Sequence, residues 1–384
     1  MHIEYTDEQR SLRAELRAVL EQLITPELEA ELAEREAGGP LYHVAMKQLG
    51  ADGWLGLGWD KEFGGQGRGP IDEFIFFDEM HRAAFPIPLL TLSTVGPTLA
   101  RFGTDAQKSA YLPGILRGEI HFSIGYTEPS SGTDLASLQT RAEIDGDDYV
   151  INGQKIWTSL ADHADVFWLA CRTDPSAPKH RGISMILVPA DTPGVSITKI
   201  HNLGDSNVYT TYLENVRVPR TNLVGPEHGG WRLITSQLNH ERVALMSVGL
   251  LMRLIEETAE YARATGILEE PWVQANLAWV RAHTDTLLLL NLRMAEQIGR
   301  DALAPQDASS IKVFGSELYV EGFRRLQEVV GMDSMLQGSP AQSLAYRLER
   351  CYRATLVLTF GGGTNEVQRD IIAMAGLRMP RSAK

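Results

Sequence analysis

The sequence predicts an α+β protein in three parts: an N-terminal helical domain over 1–118, a middle β domain over 119–226 and a C-terminal helical domain over 227–384. Three observations carry this. Apolar residues recur at helical spacing in the first third, as in Leu12, Leu16, Leu20 and Leu23. From about residue 119, short runs rich in β-branched and aromatic residues alternate with turn residues. From about residue 229 long helical periodicities return and persist. Helices, then strands, then helices is not the alternation of a parallel βαβ fold. No G-x-G-x-x-G follows a strand, which argues against a Rossmann dinucleotide site.

In the first part, Thr6 and Gln9 form a capping box that starts a helix. Pro26 and Gly38-Gly39-Pro40 punctuate the pattern, and further helices are predicted around 41–50, 72–84, 92–102 and 105–117. Phe63-Gly64-Gly65-Gln66-Gly67 is a loop by composition. In the second part, His121–Tyr126, Tyr149–Ile151, Val166–Cys171, Ile183–Val188 and Tyr209–Leu213 read as strands of a small antiparallel sheet or barrel. Asp145-Gly146 and Asn152-Gly153 are predicted as tight turns between strands. In the third part, helices are predicted over about 230–263, 272–298, 308–330, 341–359 and 365–375, with Pro271 as the first residue of its helix.

Composition narrows the function classes. At 384 residues the chain exceeds what one compact core usually holds, so two or three packed units are expected. Asp+Glu outnumber Lys+Arg by 49 to 36, a formal net charge of −13, which matches neither nucleic acid nor an anionic membrane. Cys171 and Cys351 are the only cysteines, too few for a disulfide scaffold or a Cys-based zinc site; no metal site is expected, and a reducing cytoplasm fits. Met1-His2-Ile3-Glu4-Tyr5 lacks a basic start followed by an apolar core, so no signal peptide is expected. No apolar run approaches the length of a membrane span.

Three stretches could carry chemistry. Tyr126-Thr127-Glu128-Pro129-Ser130-Ser131-Gly132-Thr133-Asp134 leaves a strand with hydroxyls and backbone N–H groups suited to oxygen-rich ligands, or it is a plain Pro/Ser/Gly loop. Asn152-Gly153-Gln154-Lys155-Ile156-Trp157-Thr158-Ser159 offers an indole that could stack on a flat cofactor, or Trp157 is a core residue. Phe360-Gly361-Gly362-Gly363-Thr364-Asn365-Glu366 puts three glycines before a helix, either for close ligand approach or as an interhelix turn.

Together these stretches resemble the acyl-CoA dehydrogenases, flavoproteins that oxidise acyl-CoA thioesters. Thr127-Glu128-Pro129-x-x-Gly132-Thr133-Asp134 is similar to the family's T-E-P-x-x-G-[ST]-D signature, and Asn152-Gly153-x-Lys155-x-Trp157 to its second motif, in the right order and at the right spacing. The resemblance spans nearly the whole chain. It implies an N-terminal helical domain, a middle β-barrel domain, a C-terminal four-helix bundle, and FAD as cofactor. It also implies that Tyr126, Thr127 and Gly132 lie beside the flavin, that Trp157 packs on its outer face, and that Ser159 sits near its reactive nitrogen. Thr133 is implied near the FAD diphosphate and the CoA, and Thr364 and Glu366 where the C-terminal loop meets FAD; Glu366 stands in place of a usual Gln.

The resemblance also implies where the base is not. The usual glutamate before Gly-Thr is here Gly362, whose backbone N–H remains as the donor that polarises the thioester carbonyl. Isovaleryl-CoA-type members carry the base on a helix, immediately before an arginine. Leu238-Asn239-His240-Glu241-Arg242-Val243 matches, making Glu241 the expected base and Arg242 a substrate contact; a solvated surface glutamate is the alternative. Motifs that grip a neighbour's FAD are degraded at Arg263-Ala264-Thr265-Gly266-Ile267 and Glu328-Val329-Val330-Gly331-Met332. That asymmetry is similar to the base-bearing subunit of the actinobacterial α2β2 steroid side-chain dehydrogenases. The implied partners are an acyl-CoA, a second dehydrogenase-like subunit and an electron-transfer flavoprotein. The competing expectations are a homotetramer acting on short branched or fatty acyl-CoA, and a non-catalytic flavin-binding partner or flavin monooxygenase on the same fold.

Overall fold

The structure, a computed structural model, describes residues 4–235, 237, 246–336 and 343–380. Helix α1 (Asp7–Leu23) begins at the predicted capping box: the Thr6 hydroxyl accepts from the Gln9 N–H at 3.2 Å, and the Gln9 amide oxygen accepts from the Thr6 N–H at 3.0 Å. Leu12, Leu16 and Leu20 form its buried stripe. Helices α2 (Pro26–Glu34), α3 (Pro40–Ala51) and α4 (Pro70–Arg82) each open on proline, whose missing N–H would have no partner in a first turn anyway. Helix α5 (Gly96–Phe102) is followed by α6 (Asp105–Leu116), which starts at a second capping box, Thr104 with Gln107.

The middle domain is one eight-stranded sheet: β1 (Phe122–Gly125), β2 (Arg141–Asp145), β3 (Asp148–Ser159), β4 (Val166–Arg172), β5 (Ile183–Pro189), β6 (Val195–Ile200), β7 (Val208–Pro219) and β8 (Leu223–Val224). The order is β6-β7-β3-β2-β4-β5-β8, with β1 beside β4. Pairing is antiparallel except for β1 with β4 and a single β2–β4 pair. Alternation divides the strands between two cores. Phe167, Leu169, Cys171, Ile186 and Val188 join Tyr149, Ile151, Leu213 and Val216 inside the sheet. Val166, Trp168, Ala170, Met185 and Leu187 instead join the N-terminal helices. Strand β4 is therefore buried on both faces.

One predicted turn is corrected. Asn152-Gly153 lies inside the continuous strand β3, at a register shift against β7. Gly153 has φ +156°, and a Cβ there would come within 2.5 Å of the Thr140 hydroxyl, so its glycine serves a bulge under close packing. Asp145-Gly146 is the turn between β2 and β3, as predicted.

The helix predicted over 230–263 is also corrected. Helical structure begins at 230, but the chain is not helical at 246–248 before α7 (Gly249–Ala264). The carboxylate of Asp78, on α4, accepts from the Ser247 hydroxyl (2.8 Å) and from the N–H groups of Val248 (2.9 Å) and Gly249 (2.8 Å). It starts α7 afresh from another domain, which periodicity could not foresee. Helices α7, α8 (Pro271–Gly299), α9 (Pro305–Val330) and α10 (Leu344–Thr355) form the C-terminal bundle around Leu251, Val280, Leu287, Phe323 and Leu348. A short helix, α11 (Asn365–Ile371), packs on α9. No helix among the described residues is long and apolar enough to cross a membrane.

Candidate active site

Strand β1 hands the chain to a tight turn in which Glu128 and Ser131 exchange backbone hydrogen bonds of 3.1 and 3.0 Å around Pro129-Ser130. The Glu128 side chain turns inward. Its carboxylate accepts from the N–H groups of Gln139 (2.6 Å) and Thr140 (2.9 Å) and pairs with the Lys155 ammonium at 2.7 Å. Burial opposes ionisation of Glu128, but the Lys155 charge and these donors outweigh it and hold the carboxyl below its usual range. Lys155 also donates to the Tyr126 carbonyl at 3.1 Å, and the Ile156 N–H donates to the Thr127 carbonyl at 2.9 Å. The two signature stretches are thus joined directly, through Lys155 and Ile156, to which the sequence assigned no role. Arg172 completes the cluster by donating to the carbonyls of Ala136 (2.5 Å) and Lys179 (2.6 Å). Cys171, buried beside it, has its thiol pushed up to about 12 by burial and stays protonated.

Trp157 is not a core residue. A second register shift between β3 and β7, at Lys155/Thr158, makes a bulge of Ile156 and Trp157; Trp157 has φ +61° and is 53% exposed. Ser159 is exposed two residues on. Among the described residues, the hydroxyls of Thr127, Thr133 and Ser159 and the N–H groups of Gly132 and Thr133 have no hydrogen-bond partner. The side chain of Tyr126 is engaged within the chain. Its hydroxyl donates to the Gln237 amide oxygen and accepts from the Trp168 indole at 3.1 Å. Among the described residues the Gln237 amide nitrogen is buried without a partner. Unpaired donors beside an open indole fit FAD, whose ring edge is rich in acceptors and whose faces are apolar.

The C-terminal loop is built separately. Gly362 (φ +67°) and Gly363 (φ +95°) adopt left-handed conformations that favour glycine, and Thr364 caps α11 by accepting from the Val367 N–H at 3.3 Å. Among the described residues the Gly362 N–H donates to nothing. Glu366 is exposed; its own N–H and the Thr364 hydroxyl hold its carboxyl below the usual range. Buried contacts missed by the sequence reading pin α11 to α9: Lys312 donates to the side-chain amide oxygen of Asn365 at 2.7 Å, and the Ser309 hydroxyl to that of Gln368 at 2.8 Å. No hydrogen bond among the described residues joins this loop to the other two stretches. Glu241 and Arg242 lie outside the described residues. Their flanks are firmly held: Gln237 by Tyr126, and on the far side Met246 and Ser247, whose carbonyls accept from Asn291 (2.6 Å) and the Tyr319 hydroxyl.

An open groove of about 500 Å³ is lined by His180, Arg181, His228, Gly229, Trp231, Arg232 and Thr235. It is basic on an otherwise acidic chain, and it adjoins the first stretch through the ion pair of Lys179 with Asp134. Lys179-His180-Arg181 was the sequence signal that could have revealed it. Among the described residues no group of three His, Cys, Asp or Glu could hold a metal ion.

Family models for acyl-CoA dehydrogenases match the chain in three consecutive pieces: the N-terminal domain over residues 6–119, the middle domain over 123–218 and the C-terminal domain over 228–377. Two similar proteins come from Mycobacterium tuberculosis (strain ATCC 25618 / H37Rv). Acyl-CoA dehydrogenase FadE26 is 50% identical over 398 residues, covering 100% of each chain. Acyl-CoA dehydrogenase FadE29 is 46% identical over 392 residues, covering 99% of each. Among solved structures, the Tcur3481-Tcur3483 steroid ACAD superposes with a TM-score of 0.96 at 48% identity, covering 100% of both chains. The ChsE4-ChsE5 complex from Mycobacterium tuberculosis does so with a TM-score of 0.94 at 49% identity, also covering 100% of both.

Proposed function

Given that this chain belongs to the acyl-CoA dehydrogenase family, we propose that it dehydrogenates a bulky, steroid-sized acyl-CoA thioester across its α,β bond, with Glu241 as the α-proton base. The cofactor is FAD, and when bound it supplies the acceptor for the hydride leaving the β-carbon. One observation carries the reading. The two signature stretches are joined through Lys155 and Ile156, with the Trp157 indole and the donors of Gly132 and Thr133 left open beside them.

The chain's own residues divide the remaining work. Tyr126, Thr127, Gly132, Thr133, Trp157, Ser159, Thr364 and Glu366 hold the cofactor, with Thr133 also reaching the CoA. An α-proton becomes removable when the thioester carbonyl is polarised, because negative charge then develops on the oxygen. The Gly362 N–H, unpaired among the described residues and free of a side chain, is the donor for that oxygen. Glu241 takes the proton, and Arg242 binds substrate beside it. The basic groove at His180, Arg181, His228 and Arg232 receives the CoA phosphates. Gly361, Gly362 and Gly363 leave the loop without side-chain bulk, which supports a large acyl group, as does the steroid dehydrogenase among the similar structures. The working form is an α2β2 assembly with a second dehydrogenase-like chain. An electron-transfer flavoprotein reoxidises it in the cytoplasm, in keeping with two unpaired cysteines.

The test is anaerobic flavin bleaching by a panel of acyl-CoA thioesters. Steroid-sized substrates should bleach the wild type fastest, and Glu241→Gln should slow bleaching by roughly 10²–10⁴-fold. Near-normal bleaching by Glu241→Gln would remove the base assignment. Preference for short branched or fatty acyl groups would replace the substrate assignment.

A further inference from the structure

The Lys155–Glu128 pair is an odd way to stabilise a fold. Both side chains are buried, at 0% and 5% exposure, and a buried ion pair is weak support for stability because desolvation offsets its attraction. Its geometry points to another task. Strand β1 pairs only with β4, so after Gly125 the chain leaves the sheet without a ladder partner on the β3 side. The Tyr126–Thr127 peptide is then tied to β3 at two points, the Lys155 ammonium on the Tyr126 carbonyl and the Ile156 N–H on the Thr127 carbonyl. Lys155 is the last residue of β3 in register with β7 before the Trp157 bulge. A Cβ on Gly125 would clash with Leu169 at 2.6 Å and meet the Lys155 stem in ordinary contact at 3.4 Å, so the lysine stem packs directly against the end of β1.

We propose that Lys155 is a positioning residue for the flavin. From one buried ammonium it fixes the Tyr126–Thr127 peptide on one side and the start of the Trp157 bulge on the other, so that the backbone beside the ring and the indole on its face keep a set separation. The inference rests on the flavin-site reading above. Glu128 serves as counter-ion and as the anchor for the Gln139 and Thr140 N–H groups, and its contact with the flavin-facing peptide passes through Lys155.

Three variants in the full chain, produced with its partner subunit, separate positioning from plain stability. The readouts are the melting temperature without flavin, the FAD dissociation constant and the shape of the bound-flavin absorption bands. Lys155→Met should weaken FAD binding by about tenfold or more, the loss of a charged hydrogen bond. Glu128→Gln keeps the lysine bond to the Tyr126 carbonyl; it should lower the melting temperature yet leave FAD binding within about threefold. Lys155→Met with Glu128→Gln leaves no unpaired charge. It should recover most of the melting temperature but retain weak FAD binding and altered flavin bands. Wild-type FAD affinity in either lysine variant would overturn the inference, as would equal loss of FAD affinity in Lys155→Met and Glu128→Gln. Absence of FAD binding by the wild-type complex would instead overturn the flavin-site reading.

Discussion

The middle domain and the C-terminal domain solve opposite problems. Around Glu128, Lys155 and Arg172 three charged side chains are buried, and each is bonded to named partners within the chain. The C-terminal domain leaves large apolar side chains in solvent at separate places: Met332 is 76% exposed, Leu377 69% and Phe360 59%, with Met335, Leu336 and Met379 also exposed. The stretches where a neighbour's FAD would be gripped are occupied with internal duties. Gly266, at φ +77°, ends α7, and Glu328 is bonded to Arg324 and Asn276. One half of the contrast, the middle domain, is finished by bonds within the chain; the other, the C-terminal domain, leaves apolar side chains in solvent.

Breaking the finished half should cost most. Glu128→Ala leaves the Lys155 ammonium buried and unpaired, and is expected to destabilise the chain by about 3–5 kcal/mol in urea unfolding. The next effect is acidic. Burial pushes the His121 imidazole down to about 4, with His43 and His163 adding to the shift and Asp165 opposing it. Unfolded, the group titrates near about 6.5, so between these values the unfolded chain binds the extra proton. Stability should therefore fall as pH drops through that window, by up to about 3 kcal/mol, and His121→Gln should flatten this slope. Thr364→Ala removes a helix cap in the C-terminal loop and should cost about 1 kcal/mol in the same assay. Smallest of all, Phe360→Ser and Leu377→Ser should change the stability of the isolated chain by less than about 0.5 kcal/mol. Their effect should appear in assembly, as weaker association measured by sedimentation.

The same division explains what the sequence disclosed. Local signals survived: the capping box at Thr6, proline at the start of α8, the turn at Asp145-Gly146 and the three-part order all rest on neighbours within a few residues. Failures came where distant residues decided. Asn152-Gly153 has turn chemistry, yet Thr140 and β7 make it a bulge. The break before α7 is imposed by Asp78, far away in sequence. Trp157 carried opposite readings in isolation; a register shift against β7 decided between them. The motif residues were legible as a pattern, but the Lys155–Glu128 bond that joins them was not, because spacing along the chain says nothing about which buried charges meet. The basic groove gathers His180, Arg181, His228 and Arg232 from two separated segments and left only a faint trace in the sequence.

On the proposed function this chain supplies half of a working flavin site. Its most direct test is the flavin content of the chain purified alone, compared with the chain co-expressed with a second acyl-CoA dehydrogenase-like subunit. Little bound FAD and no turnover are expected for the chain alone, with both recovered in the heteromeric complex. Full FAD occupancy and acyl-CoA oxidation by the chain alone would contradict it.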